Sequence, residues 1–202
     1  MHEALHHVLQ YWRAGGPLVL PIALTCFGIW YLVTRMRARL LAGTTALNRA
    51  ITDIPGRVAG EASTHASGIE QAIVRILNDV AHGVPLNAAF AERIEPAAAE
   101  ARRDLTVLRA LIAIAPLLGL LGTVFGMMAT FGAVGGREVT ASVAAGISTA
   151  LITTQFGLFV AIPGMFGAAR IARLLRHYEA RLSVCRTRLI IELDRRTERR
   201  AA

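Results

Sequence analysis

The stretch ALIAIAPLLGLLGTVFGMMATFGAVGG, residues 110–136, is separated by Arg137 and Glu138 alone from VTASVAAGISTALITTQFGLFVAIPGMFGAA, residues 139–169. Neither run contains Asp, Glu, Lys or Arg. A helix rises about 1.5 Å per residue, so roughly 20 apolar residues cross a hydrocarbon core about 30 Å thick. Both runs exceed that length, which leaves room for tilt or for extension beyond the bilayer. Working outward, residues 14–34 form a third uncharged run. The expected fold is an all-α membrane protein with three transmembrane helices.

Composition agrees, since 54% of residues are hydrophobic. All 22 basic residues are arginine, and the formal net charge is +8. Arg35, Arg37 and Arg39 follow the first run, Arg102, Arg103 and Arg109 precede the second, and Arg170, Arg173 and Arg176 follow the third. Arginines crowded beside helix ends mark the cytoplasmic side, so the expected topology is N-terminus outside and C-terminus inside. The same placement explains the basic excess through membrane borders and anionic headgroups rather than nucleic acid. Cys26 lies in the first span and Cys185 in the tail, so no disulfide is expected. The first run is read as a retained anchor, not a cleaved signal, because its arginines lie on the wrong flank.

These signals divide the chain into an external amphipathic helix (1–13), a first span (14–34), a cytoplasmic helical region (35–104), a second span (105–136), an external loop (137–142), a third span (143–169) and a cytoplasmic helical tail (170–202). Ala14-Gly15-Gly16-Pro17 separates the first two segments. Pro55-Gly56 and Gly83-Val84-Pro85 are expected to interrupt the cytoplasmic region. From Glu92 onward the chain reads as one helix continuous with the second span. The tail carries Ile171, Leu175, Tyr178, Leu182, Cys185 and Leu189 at alternating spacings of four and three, a heptad-like stripe. The second and third spans are therefore expected to extend as long helices into the cytoplasm.

Within the second span, Gly122 and Gly126 form a GxxxG step, with Gly119 nearby. Small residues let membrane helices approach closely where lipid gives no hydrophobic drive. Pro116 removes one backbone hydrogen bond and permits a bend. In the third span Ser148, Thr149, Thr153, Thr154 and Gln155 crowd into a single short stretch. Ser and Thr can bond back to their own helix carbonyls, but the amide of Gln155 needs partners away from lipid. Gly157 and Pro163 follow as further packing positions. Together the polar residues indicate a protein-lined path or a docking surface for a polar helix.

The strings APLLGLLGTVFGMMATF and GISTALITTQFGLFVAIPG, with the three-span layout, resemble the ExbB/TolQ/MotA family of proton-channel subunits, and most the ExbB/TolQ branch. The resemblance covers residues 111–169. It implies a homopentamer around a central pore that holds a dimer of a single-span ExbD/TolR-like partner, whose membrane aspartate takes up and releases protons. It implies a place in the bacterial inner membrane, with the N-terminus periplasmic. The implied work is conversion of proton motive force into energised envelope transport of the TonB type, with a TonB- or TolA-like protein as a further partner. Protons are the transported ion and no other cofactor is implied. By resemblance Thr123 and Thr154 line the pore beside the partner's aspartate, with Thr149, Thr153, Ser148 and Gln155 along the path. Many ExbB proteins carry a glutamate where this chain has Thr149, so here the partner must supply the acid.

Other classes find less support. His2-Glu3-Ala4-Leu5-His6 matches HExxH, the zinc-peptidase helix motif, but no third ligand follows it. No phosphate-binding glycine loop or nucleophile with a positioned base is present, so no enzyme activity is expected. A self-contained transporter would want internal span symmetry and a charge of its own. The alternatives are a Tol-type envelope-maintenance subunit, a gliding or flagellar motor stator subunit, and a non-conducting membrane scaffold for a partner helix.

Overall fold

A computed structural model describes residues 18–58, 68–132 and 139–201. The helix expected over 1–13, the break at 14–17, the HExxH string and the Arg137-Glu138 pair lie outside these residues. Five helices follow in order: α1 (Val19–Val58), α2 (Gly68–Ala81), α3 (Leu86–Arg93), α4 (Glu95–Gly132) and α5 (Val139–Ala201). Among the described residues there is no strand. Helices α1, α4 and α5 are each long and apolar enough to cross a membrane. At 40, 38 and 63 residues, each runs well past a hydrocarbon core about 30 Å thick.

Three local expectations change. The Pro55-Gly56 pair does not interrupt α1, which continues to Val58. Pro55 falls in the last turn, where its missing N–H costs the helix a single bond, the one to the carbonyl four residues before it, with almost no helix beyond it to disturb. Helix α4 starts at Glu95 rather than upstream of it, because Ile94 closes α3 with its N–H on the Phe90 carbonyl at 3.0 Å. Glu95 and Pro96 then suit a helix start, an acid in the first turn and a proline whose N–H would be unpaired anyway. Helix α5 already begins at Val139, within the stretch read as a loop, since its uncharged alanine-rich sequence carries no break.

The chain separates into two compact units, one of residues Met1–Val33 and Thr106–Ala169, the other of Thr34–Leu105 and Arg170–Ala202. In the first unit α1 lies along α4 and α5 through small residues. Gly28 faces Leu111, Gly164 faces Ile112 and Ile29, and Gly167 faces Val33. Ile22, Ile29, Ile112, Ala115 and Ala161 are buried, while Phe27, Leu117, Phe131, Leu151, Phe159 and Phe166 point outward. A unit with large apolar side chains outside and close glycine contacts between its helices suits lipid as its solvent.

The second unit has an ordinary core. The tail stripe is buried as its spacing predicts, with Ile171, Leu175, Tyr178, Leu182, Cys185 and Leu189 all under 8% exposed. Gly43 of α1 admits the Tyr178 ring, whose Cε2 would stand 3.0 Å from a Cβ there. Between α2 and α3 the chain turns at Gly83, φ +91°, a left-handed conformation that costs any other residue about 1–2 kcal/mol. Arg93 Nε clamps this hairpin by donating to Asp79 Oδ2 at 2.7 Å. That bond, with its charge partner, raises the Arg93 pKa. Arg39 with Glu100 (2.9 Å) and Arg102 with Glu179 (2.6 Å) join the long helices at exposed positions, where such pairs contribute little.

Candidate functional site

The seam between α4 and α5 in the first unit is built from glycines that the two helices present to each other. Gly126 and Gly146 meet backbone to backbone. A Cβ on Gly126 would stand 2.7 Å from the Gly146 carbonyl, and one on Gly146 would stand 2.8 Å from that of Gly126. Gly122 lies directly under the Thr153 side chain. At Gly119 an added Cβ would fall 3.0 Å from the Thr153 carbonyl and from Thr154 Cα. At Gly157 it would fall 2.7 Å from the Ala115 carbonyl and 3.3 Å from Pro116 Cα. Real Cβ atoms essentially never approach a backbone carbonyl at 2.7–2.8 Å, so Gly126, Gly146 and Gly157 require glycine for this separation, while at Gly119 the facing helix would have to give by a few tenths of an ångström. Pro116 and Pro163 lie inside α4 and α5, each leaving one backbone carbonyl without its helical donor.

The hydroxyls divide by position. Thr153 is 1% exposed, and its hydroxyl donates only within α5, to the Ala150 carbonyl at 2.9 Å and the Thr149 carbonyl at 3.1 Å. It fills the seam as a packing residue of the single chain. Thr154 is half-buried beside it, and its hydroxyl reaches the Gly119 carbonyl of α4 at 3.2 Å as well as the Ala150 carbonyl at 3.1 Å. Thr123 lies one helical turn beyond Gly119, half-buried, its hydroxyl on the Leu120 carbonyl at 2.7 Å. Thr149 is half-buried with its hydroxyl on the Ala145 carbonyl at 3.0 Å. Ser148 and Gln155 are exposed, and Gln155 has no hydrogen bond within the described residues.

Thr130 belongs to the same seam, although the polar strings did not single it out. It is 7% exposed, donates to the Met127 carbonyl at 2.6 Å, and lays its methyl over Gly146. The four-residue spacing Gly122, Gly126, Thr130 carried that signal. The seam thus combines close backbone contact with a row of hydroxyls, and none of its residues is charged. A threonine whose proton is held by a helix carbonyl still offers its oxygen lone pairs. Thr123, Thr149 and Thr154 are therefore poised as acceptors. Among the described residues no group of His, Cys, Asp and Glu has the arrangement of a metal site.

Residues 59–183 match the model of the MotA/TolQ/ExbB proton channel family. The chain belongs to this family. Within it, the chain is 53% identical over 60 residues to a biopolymer transport protein ExbB homolog of Methanothermobacter thermautotrophicus, covering 30% of this chain and 22% of that protein. It is 33% identical over 130 residues to the biopolymer transport protein ExbB of Pseudomonas putida, covering 59% and 39%. To the ExbB of Neisseria gonorrhoeae it is 36% identical over 94 residues, covering 44% and 43%. The matched stretch spans less than half the length of each of these relatives. Family membership and three long apolar helices make the chain a membrane protein, and the residues matched to the family model include the whole α4–α5 seam.

Proposed function

We propose that this chain is the channel-forming subunit of a proton-driven motor in the bacterial inner membrane, with its N-terminus periplasmic and its long helical extensions cytoplasmic. Copies of the chain, five by the family's architecture, surround the helices of a single-span ExbD/TolR-like partner that carries a membrane carboxyl. Proton passage through this assembly powers envelope transport of the TonB type. The chain is not an enzyme and needs no cofactor beyond the proton it passes.

The observation that carries this reading is the state of the threonine hydroxyls. With their protons committed to helix carbonyls, Thr123, Thr149 and Thr154 accept hydrogen bonds and give none away. A protonated carboxyl has a hydrogen to donate; a carboxylate has only lone pairs. The seam therefore favours the neutral acid over the ionised one. An uncompensated charge at the bilayer centre costs on the order of 2.5–3.5 kcal/mol even on insertion scales. A carboxyl travels past this wall once protonated and ionises only where water reaches it. One elementary charge crossing 100 mV releases about 2.3 kcal/mol, enough to bias each step of tightly packed helices.

A second reading has one observation in its favour. Every threonine hydroxyl of the seam is already satisfied within the chain, as in a scaffold that merely grips a partner helix. Vesicles containing this chain and a single-span acidic partner separate the two. With a membrane potential applied, internal pH shifts if the pair conducts protons and stays flat if the chain is a scaffold.

A further inference from the structure

Within the second unit α1, α4 and α5 enclose a cavity of about 180 Å³. Met36 and Leu40 of α1 give it apolar walls, while Arg39 of α1 with Glu100 and Asp104 of α4 give it a charged mouth. Tyr178 is the one residue that α5 contributes. Arg39 Nη1 donates to Glu100 Oε1 at 2.9 Å and stands 4.0 Å from Asp104 Oδ2, too far for a hydrogen bond. Tyr178 is 5% exposed, and its hydroxyl has no hydrogen bond within the described residues. A buried hydroxyl without an acceptor is strongly disfavoured, since it has given up water and gained nothing in exchange.

We propose that this cavity is a water site, in which bound water accepts the Tyr178 proton and donates onward to the Asp104 carboxylate. The groups on the wall select the occupant. It must accept a hydrogen bond from Tyr178 at the buried end. It must also donate toward two carboxylates that a single guanidinium does not balance. Water does both. A bare cation offers Tyr178 no acceptor, and an anion would meet the unbalanced carboxylate. If round, the space is about 7 Å across, narrower than a helix of about 10–12 Å. An acyl chain has no polar atom for either end. One water needs only about 10–15 Å³ on this measure, so the cavity has room for a bridge of several. The three long helices are therefore joined at this level through solvent, and a shift of α5 against α1 and α4 exchanges one water bond for another. The proposal stands on the second unit alone and not on proton conduction, so the two readings fail separately.

The test uses the full chain, in whatever assembly it forms, at a resolution that shows ordered water. A peak should lie within about 3.2 Å of Tyr178 Oη, with the same peak or a neighbouring one bonded to Asp104. Crystals soaked in a thallium(I) salt should show no anomalous signal in the cavity. Tyr178→Phe should remove the first peak and lower the folding equilibrium constant about fivefold, the size of one ordinary hydrogen bond. Asp104→Ala should cost a similar factor, and adding Tyr178→Phe to it should cost little more, because the bridge is already cut. Any of four results overturns the proposal: a direct bond from Tyr178 to a protein side chain, thallium in the cavity, a Tyr178→Phe variant as stable as the wild type, or fully additive losses in the double variant.

Discussion

Thr153 stands over Gly122 so closely that the side chain from α5 fills the space a Cβ from α4 would need. The relationship fixes the separation of the two helices at the level where Thr154 bonds to the Gly119 carbonyl. The packing contact and the hydrogen bond between α4 and α5 are therefore set by neighbouring residues on one helix.

Gly122→Ala should force α4 and α5 apart and destabilise the protein by about 1–3 kcal/mol, the usual range for overpacking. The paired exchange Gly122→Ala with Thr153→Gly should recover most of that loss, because the space is then filled from the other side. Thermal melts of the two variants in the same detergent check both statements.

Thr153 and Thr154 should respond differently to loss of the hydroxyl. Thr153→Val keeps the shape and gives up only bonds within its own helix, so assembly and energised function should persist. Thr154→Val removes the bond to α4 and, under the proposed function, the acceptor offered to the partner's carboxyl. It should abolish energised function while changing stability by only about 1 kcal/mol. Thr123→Val should behave like Thr154→Val. Transport assays on the single variants, with assembly followed by gel filtration, distinguish the two classes.

Much of this arrangement was legible in the sequence. The uncharged runs mark the three long helices because charge is what a bilayer excludes, and the Tyr178, Leu182, Cys185, Leu189 stripe is buried because its spacing follows one helix face. Gly83-Val84-Pro85 reads as a turn and is one. What the strings could not separate was Thr153 from Thr154, neighbours in sequence and both polar. Which of them enters the seam depends on helix rotation, which Gly122 and Gly157 set through contacts made far along the chain. Pro55 was misleading for a different reason: a proline breaks a helix interior, and only the structure shows that α1 is already ending there.

Burial pushes the Cys185 thiol up to about 11, since the thiolate loses its hydration inside the core. The folded protein then prefers the protonated thiol more than the unfolded chain does. Stability from this group is complete below about pH 9 and is lost as pH rises toward 11. The loss amounts to about 2–3 kcal/mol. Cys185→Ala should flatten that alkaline decline in a pH series of chemical melts. At neutral pH the native thiol should resist maleimide labelling until the protein is unfolded.

The turn between α2 and α3 offers a test of the second unit. Gly83→Ala should cost about 1–2 kcal/mol, because alanine pays the left-handed penalty that glycine escapes. Asp79→Asn should loosen the same hairpin by removing the charge from the Arg93 clamp. Hydrogen exchange should quicken over α2 and α3 in both variants and stay unchanged over the α4–α5 seam.

The most direct measurement of the central claim is the structure of the native particle from membranes, viewed along its axis. The second and third spans should face the central cavity, with Thr123 and Thr154 opposite a carboxyl-bearing helix of another protein. A cavity walled by the first span, with both threonines turned toward the surrounding bilayer, would contradict it.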